Sequence, residues 1–512
     1  MAQPAAPAPA ANRAVAVVDI GSNSGRVAVF GVEDDGHLRI LASTRASLRL
    51  VRDLDVRHRF GPEAVERTLD ALRDFRAIAL GAGAKQILAV ATAAVREAEN
   101  GDALIDRIRR EVGIDVQVID GEREAHLGFV GAVRGLPVES GVAFDMGGGS
   151  LQLTRFRLRK RVRSWSLPLG SLRLSDGFIS SDPPRRGEIR RLQAHVRELL
   201  ARTRIGRLEG GESLVGTGGT VRNIAKVDRR RRPYPIVRLH GYVLTRRRTD
   251  EVAAWIASSR LRDRERIPGL SEERGDSIVG GSLGVQALMD ELGAAELHVS
   301  GQGVREGLAS SAVSDELPPP REVRDASVAG LVLRFSGWNP SAAVRRAAVS
   351  GAILRALERR AGAEVQEALA HAAAVLDVGR SVDFFDRHQH VARILLATDL
   401  NGFSHRLVAL TASIVHNAGD EDAGVKPYAP LLDAGDRRAV ERAAVVLALA
   451  DDVEERCHPG VPLSPSISVR KQSVVLVVPE LLGWRPRRIG ERFRQAFDRE
   501  LVVGTGVERA PG

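Results

Sequence analysis

Residues 14–30 open with Ala14-Val15-Ala16-Val17-Val18-Asp19-Ile20-Gly21-Ser22-Asn23-Ser24 and continue through Arg26-Val27-Ala28-Val29-Phe30. An apolar run ends on a carboxylate, a glycine and small polar residues make a turn, and a second apolar run leaves it. That order predicts two strands joined at a tight turn. The same residue types return at Gly141-Val142-Ala143-Phe144-Asp145-Met146-Gly147-Gly148-Gly149-Ser150, followed by Leu151-Gln152-Leu153-Thr154. Each tip offers backbone N–H groups, hydroxyls and one carboxylate, which suits a phosphate and its magnesium ion. Two copies predict a duplicated pair of domains with a phosphoryl group between them.

A chain of 512 residues exceeds a single core, and three domains are expected. No apolar stretch approaches the roughly 20 residues that span a membrane. The alanine- and proline-rich residues 1–12 read as a disordered tail without the features of a signal peptide. Cys457 is the only cysteine, which excludes an internal disulfide and a cysteine-rich metal site and points to the cytoplasm. The net charge of +10 comes mostly from arginine, in runs such as Arg155 to Arg163, Arg229 to Arg232 and Arg246 to Arg248. Such a surface suits a polyanion and equally suits an ordinary solvated face.

Strand patterns at 14–18, 26–30, 86–91 and 116–119 alternate with helical ones, the clearest running from Pro62 through Val65, Leu69, Leu72 and Phe75 to Leu80. This predicts a first α/β domain over 13–133. A second, over 134–314, opens with the second hairpin and closes near a strand at 296–300. Pro318-Pro319-Pro320 marks a linker over 315–321. Residues 322–460 carry helical spacing, and 461–512 return to strand in a small α+β piece. Further segments suit a phosphoryl site: Thr92 and Arg96 after a buried strand, Asp120-Gly121-Glu122-Arg123-Glu124 at a strand-to-helix junction, and Gly216-Thr217-Gly218-Gly219-Thr220 at another.

In this order these motifs, with Ile267-Pro268-Gly269-Leu270-Ser271-Glu272-Glu273-Arg274 and Val304-Arg305-Glu306-Gly307, resemble the exopolyphosphatase and guanosine pentaphosphate phosphatase family, within the actin, sugar-kinase and Hsp70 ATPase superfamily. The resemblance spans residues 15–307. It implies two tandem ribonuclease H-like (actin-like) α/β domains followed by a mainly helical HD-like domain. It implies Glu124 as the base that activates water, and Asp19 and Asp145 near magnesium. Ser22, Asn23, Ser24, Gly147, Gly148, Gly149 and Ser150 match the phosphate loops. Thr92 and Arg96 match further phosphate contacts, and Gly218 and Gly219 a glycine turn facing the cleft. The implied reaction is Mg²⁺-dependent release of terminal phosphate from inorganic polyphosphate, with a monovalent cation as a further possible cofactor. Guanosine pentaphosphate is the alternative substrate; a homodimer is expected, and no specific nucleic acid partner.

The chain departs from the family pattern in three segments. Gln152 stands where a glutamate is usual, and strand alternation turns it to the side of Ser150; an amide can offer a metal its oxygen but no charge. Gly301 and Gln302 replace an acidic residue. In Val375-Leu376-Asp377-Val378-Gly379, Leu376 takes the place of the histidine that names the HD helix, which leaves His388, His390 and His416 as an incomplete metal set. These departures keep a non-catalytic polyphosphate or nucleotide sensor open. The Glu124 segment argues against a sugar or acetate kinase.

Overall fold

The computed structural model describes residues 13–32, 38–50, 58–314, 316–420, 422–481 and 484–504. The expected tail over 1–12 lies outside them. The chain forms two compact units, one of residues up to 232 with 239–323, the other of 233–238 with the residues from 324 onward.

The first unit holds two sheets of related topology. In the first, β1 (Arg13–Ile20), β2 (Ser24–Val32), β3 (Leu38–Ser47), β4 (Gln86–Ala91) and β5 (Val116–Val118) lie in the order β3-β2-β1-β4-β5. The second adds β6 (Gly141–Met146), β7 (Leu151–Arg157), β8 (Lys160–Leu167), β9 (Ser213–Thr217), β10 (Tyr242–Thr245) and β11 (Glu296–Val299), in the order β10-β11-β9-β6-β7-β8. Strands β1–β2–β3 and β6–β7–β8 are antiparallel meanders, while β1–β4–β5 and β6–β9–β11 run parallel. The duplication expected from the two hairpins is thus a duplication of whole sheets.

Helix α1 (Pro62–Gly81) starts on Pro62, whose missing N–H is no loss in a first turn, and buries Val65, Leu69, Leu72 and Phe75 on one face. With α2 (Ala93–Glu97) and α3 (Gly101–Val112) it covers one side of the first sheet, where Val18, Ile20, Leu69, Leu72, Phe75 and Ile108 form a core. Helix α4 (Gly121–Arg134) follows the first sheet yet packs on the second, its Phe129, Val130 and Val133 clustering with Ala143, Phe156 and Val215. After α5 (Ser171–Phe178), α6 (Arg186–Thr203), α7 (Gly218–Arg230), α8 (Arg246–Ser258), α9 (Leu261–Arg264) and α10 (Ile278–Leu292), helix α11 (Val304–Ser311) makes the reverse exchange. Its Ala309 packs on Val17, Ala28 and Phe30 of the first sheet. The two exchanged helices cross closely: a Cβ on Gly131 would strike the Gly303 carbonyl, and one on Gly307 the Leu127 carbonyl. Only glycine permits that approach.

The second unit is mainly helical: α12 (Pro320–Val332), which enters it at Arg324, α13 (Pro340–Leu357), α14 (Ala363–Val375), α15 (Arg387–Ala397), α16 (His405–Gly419), α17 (Asp436–Glu454) and α18 (Arg487–Phe497). A small sheet, β12 (Ser466–Val469), β13 (Ser473–Val477) and β14 (Glu500–Gly504), completes it. Helix α12 begins at Pro320, inside the stretch read as linker. Residues 376–381 form a 3-10 turn in which Asp377 is buried and pairs with Arg346 at 3.0 Å and Arg380 at 2.9 Å. Arg346 is wholly buried and also pairs with Asp451 at 2.8 Å. A guanidinium therefore serves as the counter-charge of these acids.

Candidate active site

The two hairpins close in the same way. Gly21 N–H donates to the Ser24 carbonyl at 3.2 Å, and Gly147 N–H to the Ser150 carbonyl at 3.0 Å. Their tips face each other: a Cβ on Gly148 would lie 3.2 Å from that of Asn23. The register makes Arg26 the cross-strand partner of Asp19, and Gln152 that of Asp145. Asp19 and Asp145 are equivalent residues of the two copies, and both line one cleft of about 120 Å³. That volume exceeds the share of a few waters and suits a phosphoryl group.

Helix starts supply the rest of the wall. Thr92 and Thr217 stand at the N-cap positions of α2 and α7 without a side-chain capping bond, and Gly303 precedes α11. Thr92, Thr217, Gly218, Gly219 and Gly303 all line the cleft. Backbone N–H groups at such starts favour an anion, as does the helix dipole. Gly218 holds φ +93°, and a Cβ there would come within 2.5 Å of Asp145 Oδ1, so the turn needs glycine to pass beneath the carboxylate.

Glu124 lies in the first turn of α4, which Asp120 caps by accepting the Arg123 N–H at 2.7 Å. It is 9% exposed and lines the cleft. Its Oε2 is buried without a hydrogen bond, and Arg96 Nη1 stands 3.7 Å from it. Burial pushes this carboxyl up to about 8, against the pull of Arg96. Burial likewise raises Asp19 to about 6 despite Arg305 and Arg26, and raises Asp145 despite Arg222 and Arg26.

Of the residues singled out in the sequence, Asp19, Ser22, Asn23, Ser24, Thr92, Glu124, Asp145, Gly147, Gly148, Ser150, Gln152, Gly218 and Gly219 line the cleft. Gly149 does not. Arg96 does not either: its Nη1 donates to the Ile119 carbonyl at 2.6 Å, so the guanidinium braces the start of α4 beside Glu124. The arginines on the cleft wall are Arg26, Arg222, Arg274 and Arg305. Arg274 and Arg305 belong to motifs quoted above without a role. Arg26 was legible as a lone cation in a strand otherwise apolar and buried. Arg222, one turn beyond the glycine pair, reads in sequence as a surface helix residue.

Four arginines thus face four carboxylates, Asp19, Glu124, Asp145 and Glu306. A bare anion hole would be cationic and a protein-only metal site acidic; this balance fits a phosphate arriving with a cation. Among the described residues, no three His, Cys, Asp or Glu side chains group to hold a metal alone. Two buried aspartates fit magnesium, which is commonly held by one or two carboxylates plus waters and substrate phosphates. His388, His390 and His416 form no such group either among the described residues.

A profile of the Ppx/GppA phosphatase family matches residues 29–316. Exopolyphosphatase 1 of Mycobacterium tuberculosis is 29% identical over 316 residues, 61% of this chain and 92% of that protein. Exopolyphosphatase 1 of Mycobacterium leprae is 31% identical over 296 residues, 57% of this chain and 87% of that protein. The crystal structure of the Aquifex aeolicus member of the Ppx/GppA protein family superposes with a TM-score of 0.52 at 28% identity, covering 59% of this chain and 97% of that one. The α/β architecture of two sheets of related topology agrees with these likenesses, and the chain belongs to the Ppx/GppA phosphatase family.

Proposed function

We propose that this protein is an exopolyphosphatase that hydrolyses the terminal phosphoanhydride of inorganic polyphosphate. The observation that carries the reading is the Glu124 carboxyl, buried without a hydrogen bond to Oε2 in a cleft that otherwise presents phosphate donors. The terminal phosphoryl group would rest between the hairpin tips, held by backbone N–H groups and by Ser22, Ser24 and Ser150. Arg26, Arg222, Arg274 and Arg305 would balance charge spread over its oxygens in a loose transition state. Glu124, ionised, would accept the proton of a water in line with the bond to the rest of the chain. Asp19 and Asp145 would hold Mg²⁺, which supplies charge neutralisation at the transferred phosphoryl group.

One observation favours polyphosphate over guanosine pentaphosphate: no aromatic side chain lines the cleft among the described residues, so a guanine would find no stacking face there. The second unit we read as an HD-like scaffold without its metal, since Arg346 occupies the centre of its buried acids. Phosphate release from polyphosphate and from guanosine pentaphosphate, with one preparation and Mg²⁺, tests the assignment. Turnover of polyphosphate lost in Glu124→Gln, with binding retained, is expected. Turnover of neither substrate by the unaltered protein overturns it, and would favour the sensor.

A further inference from the structure

The two hairpins differ in charge at the position that faces the cleft aspartate. The residue paired across the strands with the cleft aspartate is Arg26 in the first copy and Gln152 in the second. Gln152 is 4% exposed and lines the cleft. Its Nε2 donates to Ser150 Oγ at 2.8 Å and approaches Ser166 Oγ at 3.5 Å. Ser150 Oγ, which also lines the cleft, is therefore the acceptor in that bond.

A serine hydroxyl has one proton and two lone pairs. With a lone pair engaged by the amide, the proton is free to turn to the cleft. A carboxylate in place of the amide would reverse this: it cannot donate, and as the strongest acceptor in reach it would draw the Ser150 proton to itself. Ser150 would then present lone pairs to an incoming oxyanion. Arg26, the counterpart, is also a donor with no acceptor capacity. Both copies thus place a donor group opposite the aspartate.

We infer that Gln152 is a positioning residue that fixes Ser150 as a hydrogen-bond donor to the terminal phosphoryl group. This deepens the proposed reading and rests on it. The second hairpin then acts on the anion through its hydroxyl, while the only negative charge it offers a cation is that of Asp145.

The test is a double-mutant cycle of Gln152→Glu and Ser150→Ala, read both as tripolyphosphate affinity by calorimetry and as KM and kcat for polyphosphate at saturating Mg²⁺. Each single change is expected to weaken affinity about tenfold, the worth of one charge-assisted bond, and to move KM more than kcat. The double variant is expected to be no worse than either single one, because both remove the same bond. Gln152→Met, which leaves the hydroxyl free to rotate, should fall between wild type and Gln152→Glu. Multiplying losses, or a Gln152→Glu protein that binds as well as the unaltered one, overturn the inference. Thermal melts separate these results from misfolding. Tight tripolyphosphate binding without turnover would defeat the hydrolase reading while the affinity cycle still decides the role of Gln152; absence of both in the unaltered protein would defeat both.

Discussion

Burial of the Glu124 carboxyl raises its pKa to about 8, whereas an unfolded chain ionises glutamate at about 4.3. An acid that holds its proton more tightly when folded destabilises the fold as pH rises between those two values. Below the lower one both states are protonated and the penalty vanishes. Glu124→Gln is therefore expected to stabilise the metal-free protein by on the order of 2 kcal/mol at pH 8 and by nothing at pH 4, measured by urea unfolding. Destabilisation at pH 8 would sink the argument from burial. The same group must be ionised to accept a proton, so kcat/KM is expected to fall as pH drops through its pKa. Arg96, 3.7 Å away, holds that pKa down. Arg96→Met should move the acid limb of the profile upward by about one unit at fixed Mg²⁺ concentration, with little change on the alkaline side. An unmoved limb would return Arg96 to the phosphate-contact role implied by the resemblance. Nothing in the sequence separates these roles, because a threonine and an arginine after a buried strand suit either one.

Burial and turn geometry explain why some elements are legible in the sequence and others are not. Strands β1, β2, β6 and β7 show themselves because burial demands apolar runs, and the hairpin tips because tight turns demand small residues. Strand β3 stands at a sheet edge with alternating exposure and shows no long apolar run, and β8 reads Lys-Arg-Val-Arg-Ser-Trp-Ser-Leu, part of a run that reads as basic surface. The β8 region hides a further device. Arg159, at the β7–β8 turn, is 6% exposed and reaches the far end of α4. Its guanidinium donates to the carbonyls of Leu136 at 3.1 Å, Val138 at 2.8 Å, Val133 at 3.3 Å and Arg134 at 3.0 Å. A residue that the sequence places in a basic run, suited to a polyanion or to a solvated face, thus closes the carboxyl end of the helix whose first turn holds Glu124. Arg159→Leu is expected to cost about 2–3 kcal/mol through unsatisfied carbonyls and to lower kcat. Lysine, a point charge without the planar fork, should restore under half of that stability. Full rescue by lysine in urea titrations would show that charge alone, rather than the fork, closes the helix.

Each of the two units has its own core, and each concentrates buried charge in a different way. In the first, burial raises the cleft carboxyls of Asp19, Glu124 and Asp145, so their ionisation works against stability. In the second, Arg346 already meets Asp377 and Asp451, and Arg387 meets Asp451 at 2.5 Å, so the acids are balanced within the fold. The chain also enters the second unit early: Ile236, from the 233–238 segment, is fully buried in that unit's core, and Tyr234 Oη lies 2.7 Å from His405 Nδ1. Sequence could not show this, because a short segment between Arg-rich runs carries no periodic signal. Removing the counter-charge should act within one unit alone. Arg346→Met leaves buried carboxylates without their main partner and is expected to destabilise the second unit by about 3–5 kcal/mol. Because the two sites share no side chains, this loss and the gain from Glu124→Gln should add in the double variant. Calorimetry with hydrogen exchange on peptides from 86–146 and 340–454 would assign each shift. Arg346→Met should lower protection only in the second set at pH 8, and Glu124→Gln should raise it only in the first. A single transition moved equally by both changes would show instead that the whole chain unfolds as one cooperative body.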